Sequence, residues 1–260
     1  MIFNTLAPTR YGWMVYHSLD QYVGQSIAFY GEFSPDEADL LDALLAPGDV
    51  VVDGGANIGA LTLALAQSVG ERGRVIAFEP QRLTYHCLVA NLALNSLIQV
   101  QPLQAALGKD AGMIFVRPLD LTQPNNVGGL EIGDDGTPNT PIMRLDDLNI
   151  PRLNLLKLDL EGMEGDALEG ARDTIARCRP LLYVEADREA KRPELLALMR
   201  DLGYRLYDHR PMLYSPDNFR GEPRNIFENI ASFNVLGVPQ ENPLDYAAMH
   251  PGLSAVEETP

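Results

Sequence analysis

The hydrophobic and polar positions of this chain alternate between short apolar runs and longer amphipathic stretches. The apolar runs have the length and aliphatic content of strands, whereas the stretches between them repeat apolar residues at helical spacing. Strands that alternate with helices in this way are typical of a largely parallel sheet covered on both faces. The pattern therefore predicts an α/β fold. Candidate strands fall at 50–53, 75–79, 100–107, 153–160, 180–187, 204–207 and 231–238, and candidate helices at 34–45, 57–65, 82–94, 164–178 and 192–202.

The stretch 49–64, which reads DVVVDGGANIGALTLA, predicts a buried strand, a glycine turn and a helix. Asp53 closes the strand, and the two glycines after it allow a tight turn before the helix that begins near Asn57. Such a unit presents backbone N–H groups to a polar ligand. The spacing departs from the dinucleotide fingerprint, because Ala56 occupies the position of its second glycine. A glycine turn kept for packing alone is the alternative interpretation.

Two carboxylates beside this turn indicate which ligand it suits. Asp53 directly precedes the glycines, so it would repel a pyrophosphate but suits a ligand with an ammonium group. Glu79 ends the next predicted strand, where a carboxylate can accept hydrogen bonds from both ribose hydroxyls. A ligand that combines a cationic amino acid, a ribose and a base matches S-adenosyl-L-methionine, written S-adenosylmethionine below.

Four segments of the chain resemble the FkbM family of S-adenosylmethionine-dependent methyltransferases. They read VVDGGANIGALTLALA, VIAFEP, LLKLDLEGMEGDALEGA and PLLYVE, and they occur in the family's order within 31–185. The resemblance implies a class I methyltransferase (Rossmann-like) fold, with a mostly parallel seven-stranded sheet, helices on both faces and a closing antiparallel strand. It also implies S-adenosylmethionine as the cofactor and methylation of hydroxyl groups on sugars or natural products.

The cofactor site is predicted from these segments and from the strand ends. The resemblance places the segment 30–32 near the cofactor, and it places Gln104 and Ala105 near the adenine. For Gln104, an ordinary polar residue at a strand end is the alternative. The predicted cofactor-binding residues are Glu32, Asp53, Gly55, Asn57, Gly59, Glu79, Pro80, Gln104, Ala105 and Asp159.

Acidic residues at the predicted strand ends should gather at one edge of the sheet, because open α/β sheets bind ligands outside the carboxyl ends of their strands. An alcohol is a poor nucleophile until it loses its proton, so a general base within reach accelerates methyl transfer. Asp159 and Glu161 are the predicted catalytic residues, with His209 as a further candidate base. Capping of the next helix by these acids is the alternative role. The acids at this edge are Asp53, Glu79, Asp159, Glu161 and Glu185.

The segment 118–139 is rich in Gly, Pro, Asn and Asp, and we interpret it as an active-site loop around Asn125–Gly129. A plain surface loop is the alternative. Carboxylates together with Asn125 or Asn126 would suit Mg²⁺, but no tight ligand motif supports this arrangement, so we expect no metal. The predicted substrate residues are Asn125, Asn126, His209 and Asn218.

Three parts of the chain are predicted from these patterns. Residues 1–33 are rich in aromatic side chains and predict an N-terminal extension that packs near the cofactor site. Residues 34–240 form the predicted S-adenosylmethionine-binding methyltransferase domain, and the polar segment 208–229, here called the cap segment, is expected to contact substrate. Residues 241–260 predict a flexible tail.

Charge and cysteine content restrict the partners. Asp and Glu number 36 against 20 Lys and Arg, and the net charge of −16 disfavours nucleic acid, which binds through cationic side chains. Cys87 and Cys178 fit no metal spacing and predict free thiols in a reducing compartment. The sequence contains no apolar run long enough to span a bilayer and no secretion signal. We therefore expect a cytoplasmic protein with a small-molecule acceptor.

Several functions remain open at this point. O-methylation of a small molecule is the first, and N-methylation of a small molecule or peptide is the second. A nicotinamide-dependent oxidoreductase is disfavoured by the glycine spacing and by Asp53. A non-catalytic subunit that keeps the cofactor pocket is disfavoured by the acidic residues at the strand ends. The sequence predicts neither the acceptor nor the oligomeric state.

Overall fold

A computed structural model describes residues 3–120, 122–127 and 136–257 of the protein. The strands in this part of the chain are β1 (Asn4–Thr9), β2 (Gly12–His17), β3 (Val50–Gly54), β4 (Arg74–Phe78), β5 (Val100–Leu103), β6 (Ala106–Leu107), β7 (Gly112–Ile114), β8 (Thr140–Met143), β9 (Leu155–Leu158), β10 (Leu181–Glu185), β11 (Tyr204–His209), β12 (Asn234–Pro239) and β13 (Leu253–Ala255). The helices are α1 (Val23–Tyr30), α2 (Pro35–Leu44), α3 (Ala60–Val69), α4 (Arg82–Leu94), α5 (Glu164–Glu169), α6 (Arg172–Cys178), α7 (Arg192–Asp201) and α8 (Tyr246–Met249), with a 3₁₀ helix at Leu145–Leu148. None of these helices combines the length and the apolar character needed to cross a lipid bilayer.

The main sheet has the strand order β13-β11-β12-β10-β9-β3-β4-β5. Neighbouring strands from β10 to β5 pair in parallel, whereas β12 runs antiparallel to both β10 and β11. From β3 the chain proceeds outward through β4 and β5, and it then crosses back to β9 on the other side of β3. The crevice between β3 and β9 is therefore a topological switch point, where open α/β sheets bind their ligands.

Successive residues of the central strands point to opposite faces of the sheet and divide the core into two layers. Val51 shares a core cluster with Leu63 of α3 and Leu88 of α4, whereas its neighbour Val52 shares one with Leu168 of α5. Strands that are covered on both faces consist of nearly continuous apolar residues. This is why the apolar runs in the sequence located the parallel strands.

The predicted helix 164–178 is two helices in the structure. α5 ends at Gly170, where an added Cβ would lie 2.1 Å from the carbonyl oxygen of Gly108. α6 then begins beside Asp146, whose carboxylate accepts a hydrogen bond from the backbone N–H of Thr174 at 2.8 Å. The prediction of one continuous helix was wrong, because the close approach of a distant segment interrupts it and leaves no mark in the local periodicity.

The N-terminal segment forms the β1–β2 hairpin followed by α1. Asn91 of α4 and Asn95, which directly follows α4, attach the hairpin to the domain, since their side chains exchange hydrogen bonds with the backbone of Val15 and Trp13. Asp20 holds the described part of the 118–139 loop, because its carboxylate accepts a hydrogen bond from the N–H of Val127 at 3.3 Å. These contacts bring the hairpin and the loop to the same side of the domain.

The segment 241–260, predicted as a flexible tail, contains regular structure. Asp245 accepts hydrogen bonds from two backbone N–H groups at the start of α8. β13 pairs antiparallel with β11 and buries Leu253, so the main sheet has eight strands rather than the predicted seven. The alternation in this stretch is too short to predict a strand, and the exposed edge of β11 supplies the pairing partner. Residues 258–260 lie outside the described part of the chain.

Candidate active site

A cavity of about 510 Å³ opens at the carboxyl ends of the parallel strands. All five strand-end acids of the sequence analysis line it: Asp53, Glu79, Asp159, Glu161 and Glu185. The strand order explains their meeting, because β4, β3, β9 and β10 are consecutive neighbours and end at the same edge of the sheet. The size of the cavity falls within the range of small-molecule sites.

The glycine turn after β3 forms the floor of the cavity. Gly55 has φ of 78°, and an added Cβ would lie 1.8 Å from the carbonyl oxygen of Asp159, so only glycine fits between β3 and the end of β9. Asn57 has φ of 52°, and its backbone N–H donates to Oε2 of Glu79 at 2.9 Å. The turn is thereby bonded to the end of β4, which sets its position.

Glu79 is buried at one end of the cavity. Its second oxygen, Oε1, accepts a hydrogen bond from the backbone N–H of Gln81 at 2.8 Å. Burial raises the pKa of Glu79 to about 7, and the two backbone N–H groups oppose the rise. Each carboxylate oxygen accepts more than one hydrogen bond, so Glu79 keeps acceptor capacity for a ligand.

Lys157 on β9 is a buried cation next to two carboxylates. Its Nζ lies 3.3 Å from Oδ1 of Asp53 and 3.8 Å from Oδ2 of Asp159, and its side chain is 2% exposed. Burial lowers the pKa of Lys157, but the charges of Asp53 and Asp159 outweigh burial and raise it overall. Thr62 donates its hydroxyl to Oδ2 of Asp53 at 2.7 Å. Asp53 thus has an ionic partner near Oδ1 and a hydrogen-bond donor at Oδ2.

Glu37 on α2 also lines the cavity, and the sequence analysis did not select it. Only 4% of the residue is exposed, and the hydroxyl of Ser34 donates to its Oε2 at 2.9 Å. Burial raises the pKa of Glu37 to about 7, and the charge of Lys157 opposes the rise. The Ser-x-x-Glu spacing at a helix start was the available signal, but that spacing by itself indicates a capping box.

A cluster of three acids, Asp159, Glu161 and Glu185, lines the cavity together with Arg188. Arg188 Nη2 lies 2.5 Å from Oε2 of Glu161, which has the left-handed φ of 55°. Burial, followed by the charge of Asp159, raises the pKa of Glu161 to about 7. Burial, followed by the charges of Asp159 and Glu161, raises the pKa of Glu185 well above its usual range.

The same cluster has the spacing of a cation site. One oxygen each from Asp159, Glu161 and Glu185 lies within 4.8 Å of the others. Carboxylate oxygens are the ligands that Mg²⁺ and Ca²⁺ prefer. Clusters of partly exposed acids are also common without an ion, so the expectation of no metal stays a prediction.

One wall of the cavity is apolar and comes from outside the main sheet. Tyr30 joins α1 to the cap segment, because its hydroxyl donates to the carbonyl oxygen of Arg224 at 3.0 Å and accepts from the N–H of Ile226 at 2.8 Å. The ring of Tyr30 also lies 5.8 Å from that of Phe227. The apolar residues of the wall are Tyr22, Val23, Phe33, Val116, Val127, Leu213, Ile230 and Phe233.

Six predicted cofactor residues line the cavity and four do not. The six are Asp53, Gly55, Asn57, Glu79, Pro80 and Asp159. Glu32 is buried instead beside Arg10, whose Nη1 lies 3.6 Å from its carboxylate, and Gly59 precedes the first turn of α3. Gln104 and Ala105 follow the end of β5, and the two residues of β6 line the cavity in their place. β5 ends at Leu103, whereas the predicted strand extended to 107, so Gln104 and Ala105 follow the strand instead of lying within it.

Of the predicted substrate residues, Asn126 lines the cavity. The side-chain amide of Asn218 donates to two carbonyl oxygens inside the cap segment, which fixes the shape of that segment. The carbonyl oxygen of Asn125 accepts the N–H of Gln21 at 2.9 Å and ties the loop to the N-terminal segment. Gly128 and Gly129, which complete the predicted loop core, lie outside the described residues.

His209 is buried beneath the cavity rather than in its lining. Its Nδ1 lies 2.8 Å from the hydroxyl of Tyr183, and Asn234 donates its amide to the same hydroxyl at 2.9 Å. The Tyr183 hydroxyl thus links His209 to Asn234. Burial lowers the pKa of His209 to about 4, so the ring is neutral at pH 7. Asn234 lines the cavity, and this network fixes the direction of its side chain.

Comparison with known proteins gives consistent matches. A family model described as "Methyltransferase FkbM domain" matches residues 53–206. "Methyltransferase sdnD" of Sordaria araneosa is 28% identical over 216 residues, which are 68% of this chain and 81% of that protein. "Methyltransferase 1" of Beauveria bassiana (strain ARSEF 2860) is 29% identical over 146 residues, which are 47% of this chain and 58% of that protein.

The solved structures give a weaker likeness. The crystal structure of a methyltransferase FkbM from Methylobacillus flagellatus KT matches with a TM-score of 0.48 and 17% identity. The match covers 77% of this chain and 50% of that one, so the chain spans half the length of that structure. The assignment of the fold rests on the strand order and on the family model.

Proposed function

The chain belongs to the FkbM methyltransferase family and is a methyltransferase, and we propose that it transfers a methyl group from S-adenosylmethionine to a hydroxyl group of a small molecule. The matched residues 53–206 include the end of β3, the glycine turn, β4 and β9. The observation that carries the proposal is that Glu79, which follows β4, and Asp159 and Glu161, which follow β9, line one cavity.

The residues of the cavity fit the methyl donor in size and charge. Glu79 would accept the ribose hydroxyls, and the glycine turn from Gly55 to Asn57 allows close approach to the backbone. The carboxylates near Lys157 outnumber its single charge, so that end of the cavity suits a cationic ligand. Bound there, S-adenosylmethionine would supply an electrophilic methyl carbon.

Glu161 is the proposed general base, with Asp159 next to it. A base works best when its pKa is near the working pH, and burial has raised the pKa of Glu161 to about 7. Arg188 restricts the Glu161 side chain through their 2.5 Å contact. Glu161 would accept the proton that the acceptor hydroxyl loses. The apolar wall excludes water and positions the acceptor, which is the main contribution that a protein makes to a displacement of this kind.

Calorimetry with S-adenosylhomocysteine, the demethylated donor, tests the cofactor assignment. We expect saturable binding of this ligand and no binding of NAD at the same concentrations. Radiolabelled methyl transfer to a panel of neutral hydroxylated and aminated small molecules, with RNA included as a separate acceptor, then tests the acceptor class. Saturable binding of NAD without S-adenosylhomocysteine binding, or transfer to RNA alone, would refute the proposal.

A further inference from the structure

We infer that Glu37 binds the α-ammonium group of the methyl donor and selects ligands that carry an amino-acid end. This inference rests on the proposed function. Glu37 lies outside the residues matched by the family model, which begin at 53. Its assignment comes from its place in the cavity, its burial and its single hydrogen-bond donor.

The position of Glu37 is the first argument. Along the rim of the sheet the strands follow the order β4, β3, β9, so Glu79 and Lys157 lie two strand spacings apart, about 10 Å. Glu37 lines the same cavity as Lys157 and Asp159, and the charges of these two groups at the β9 side influence its pKa most. A donor whose ribose is bound by Glu79 and which crosses the glycine turn has its amino-acid end at this side.

The free acceptor capacity of Glu37 is the second argument. Asp53 already has a cationic partner, Lys157 at 3.3 Å from its Oδ1, and its Oδ2 accepts the hydroxyl of Thr62 at 2.7 Å. Among the described residues, the side chain of Glu37 accepts one hydrogen bond, from Ser34 to Oε2, and it lines the cavity. A buried carboxylate with so few donors is unfavourable unless a ligand supplies another. An ammonium group supplies both the donor and the opposite charge.

Charge balance at this end of the cavity is the third argument. Three carboxyl groups, those of Asp53, Asp159 and Glu37, surround one cation, Lys157, and two of the three, Asp53 and Glu37, are buried. Burial raises the pKa of Glu37 to about 7, so without a ligand the group is partly protonated at neutral pH. A cation bound next to Glu37 would hold it ionised. The cavity thereby favours a ligand with an ammonium group over one without it.

The local backbone keeps Glu37 directed at the cavity. Ser34 adopts φ of 46°, a left-handed conformation that costs energy for a serine. From this conformation its carbonyl oxygen accepts the N–H of Glu37 at 3.1 Å while its hydroxyl donates to Oε2. The next helix residue, Ala38, packs against Leu61 and Ala64 of α3. The strained start of α2 therefore fixes one rotamer of Glu37 before any ligand binds.

The test compares two ligands on three proteins by calorimetry at pH 7.5. S-adenosylhomocysteine has the ammonium group, and 5′-methylthioadenosine lacks the whole amino-acid end. Glu37→Gln keeps the shape and the acceptor for Ser34 but removes the charge. Asp36→Asn removes the same charge from the exposed neighbouring position in the first turn of α2 and is the matched control.

We expect Glu37→Gln to weaken S-adenosylhomocysteine binding by about 10- to 100-fold, the effect of losing a charge-assisted hydrogen bond. Binding of 5′-methylthioadenosine should stay within twofold, and Asp36→Asn should change neither ligand. Equal weakening of both ligands by Glu37→Gln would assign the residue a structural role and overturn the inference, and so would unchanged binding of both. Wild-type protein that binds neither ligand would refute the proposed function itself, and this inference with it.

Discussion

Replacement of Lys157 by methionine is the most direct test of how the cavity is held together. Methionine keeps the length and the apolar stem of the side chain but removes its charge. The Nζ group of Lys157 lies between Asp53 and Asp159, and Asp53 is fully buried. After the change, Asp53 keeps the hydroxyl of Thr62 as a donor but loses its opposite charge. The variant therefore leaves a buried carboxylate without an ionic partner.

The expected cost follows from that unpaired charge. Removal of one partner of a buried ion pair destabilises a protein by about 3–5 kcal/mol, because the remaining charge is poorly solvated. In a chain of this size, 1 kcal/mol shifts the melting temperature by about 2–4 °C, so Lys157→Met should melt about 6–20 °C below the wild type. Protonation would remove the charge left unpaired by Lys157→Met. Acidification from pH 8 to pH 5 should therefore recover part of the melting temperature that the variant loses.

Urea denaturation and thermal melting of the ligand-free protein measure this cost. Lys191→Met is the matched control, because Lys191 is exposed and its Nζ donates to one carbonyl oxygen, that of Gly162. We expect the control to lose less than about 1 kcal/mol. The double change Asp53→Asn with Lys157→Met should be more stable than Lys157→Met alone. A loss below 1 kcal/mol in Lys157→Met, or a double variant that is less stable still, would refute the ion-pair argument.

Three further predictions concern the chemistry, the pH dependence and the glycine turn. Asp159→Asn and Glu161→Gln should each lower turnover by about 10²- to 10⁴-fold, while the affinity for S-adenosylhomocysteine changes by less than a few fold. Unchanged turnover in both variants would show that these residues take no part in the chemistry. Burial raises the pKa of Glu79 from 4.5 to about 7, so its stabilising effect is complete below pH 4.5 and is lost as the pH rises toward 7. The melting temperature of the ligand-free protein should therefore fall between pH 5 and pH 8, and Glu79→Gln should make this slope shallower; an unchanged slope would contradict the assignment. Gly55→Ala should destabilise the protein by more than about 1 kcal/mol, because the residue has φ of 78° and the new Cβ would meet the carbonyl oxygen of Asp159. Urea denaturation measures this loss, and a midpoint equal to that of the wild type would contradict the geometry.

The acidic character of the cavity has a consequence for the acceptor. Among the described residues, the cations in its lining are Lys157, which is paired with Asp53 and Asp159, and Arg188, which is paired with Glu161 and Asp187. An anionic acceptor would meet repulsion from these groups without a cation to bind it. This electrostatic argument supports the neutral small molecule of the proposed function.

Local patterns in the sequence were sufficient to predict the parallel strands and the edge of the sheet at which the acids meet. Val51 and Val52 lie in a run that is apolar on both faces, and such a run identifies a central parallel strand without any knowledge of its partners. The positions of Asp53 and Glu79 follow from where their own strands end. The positions of such residues depend on neighbours close in sequence. The carboxyl ends of parallel strands meet at one edge in any such sheet.

Only the tertiary structure decided which remaining side chains face the cavity. Glu37 precedes β3 by a whole helix, and its approach to Lys157 depends on the packing of α2 against α3. The sequence shows His209 as a polar residue at a strand end, yet it is buried and hydrogen-bonded to Tyr183 of β10, which is separated from β11 by β12. These outcomes depend on contacts between residues far apart in sequence. A local pattern of hydrophobic and polar positions contains no information about such contacts. The sequence therefore determined the strands and the acids at their ends, and the tertiary packing determined which other side chains line the cavity.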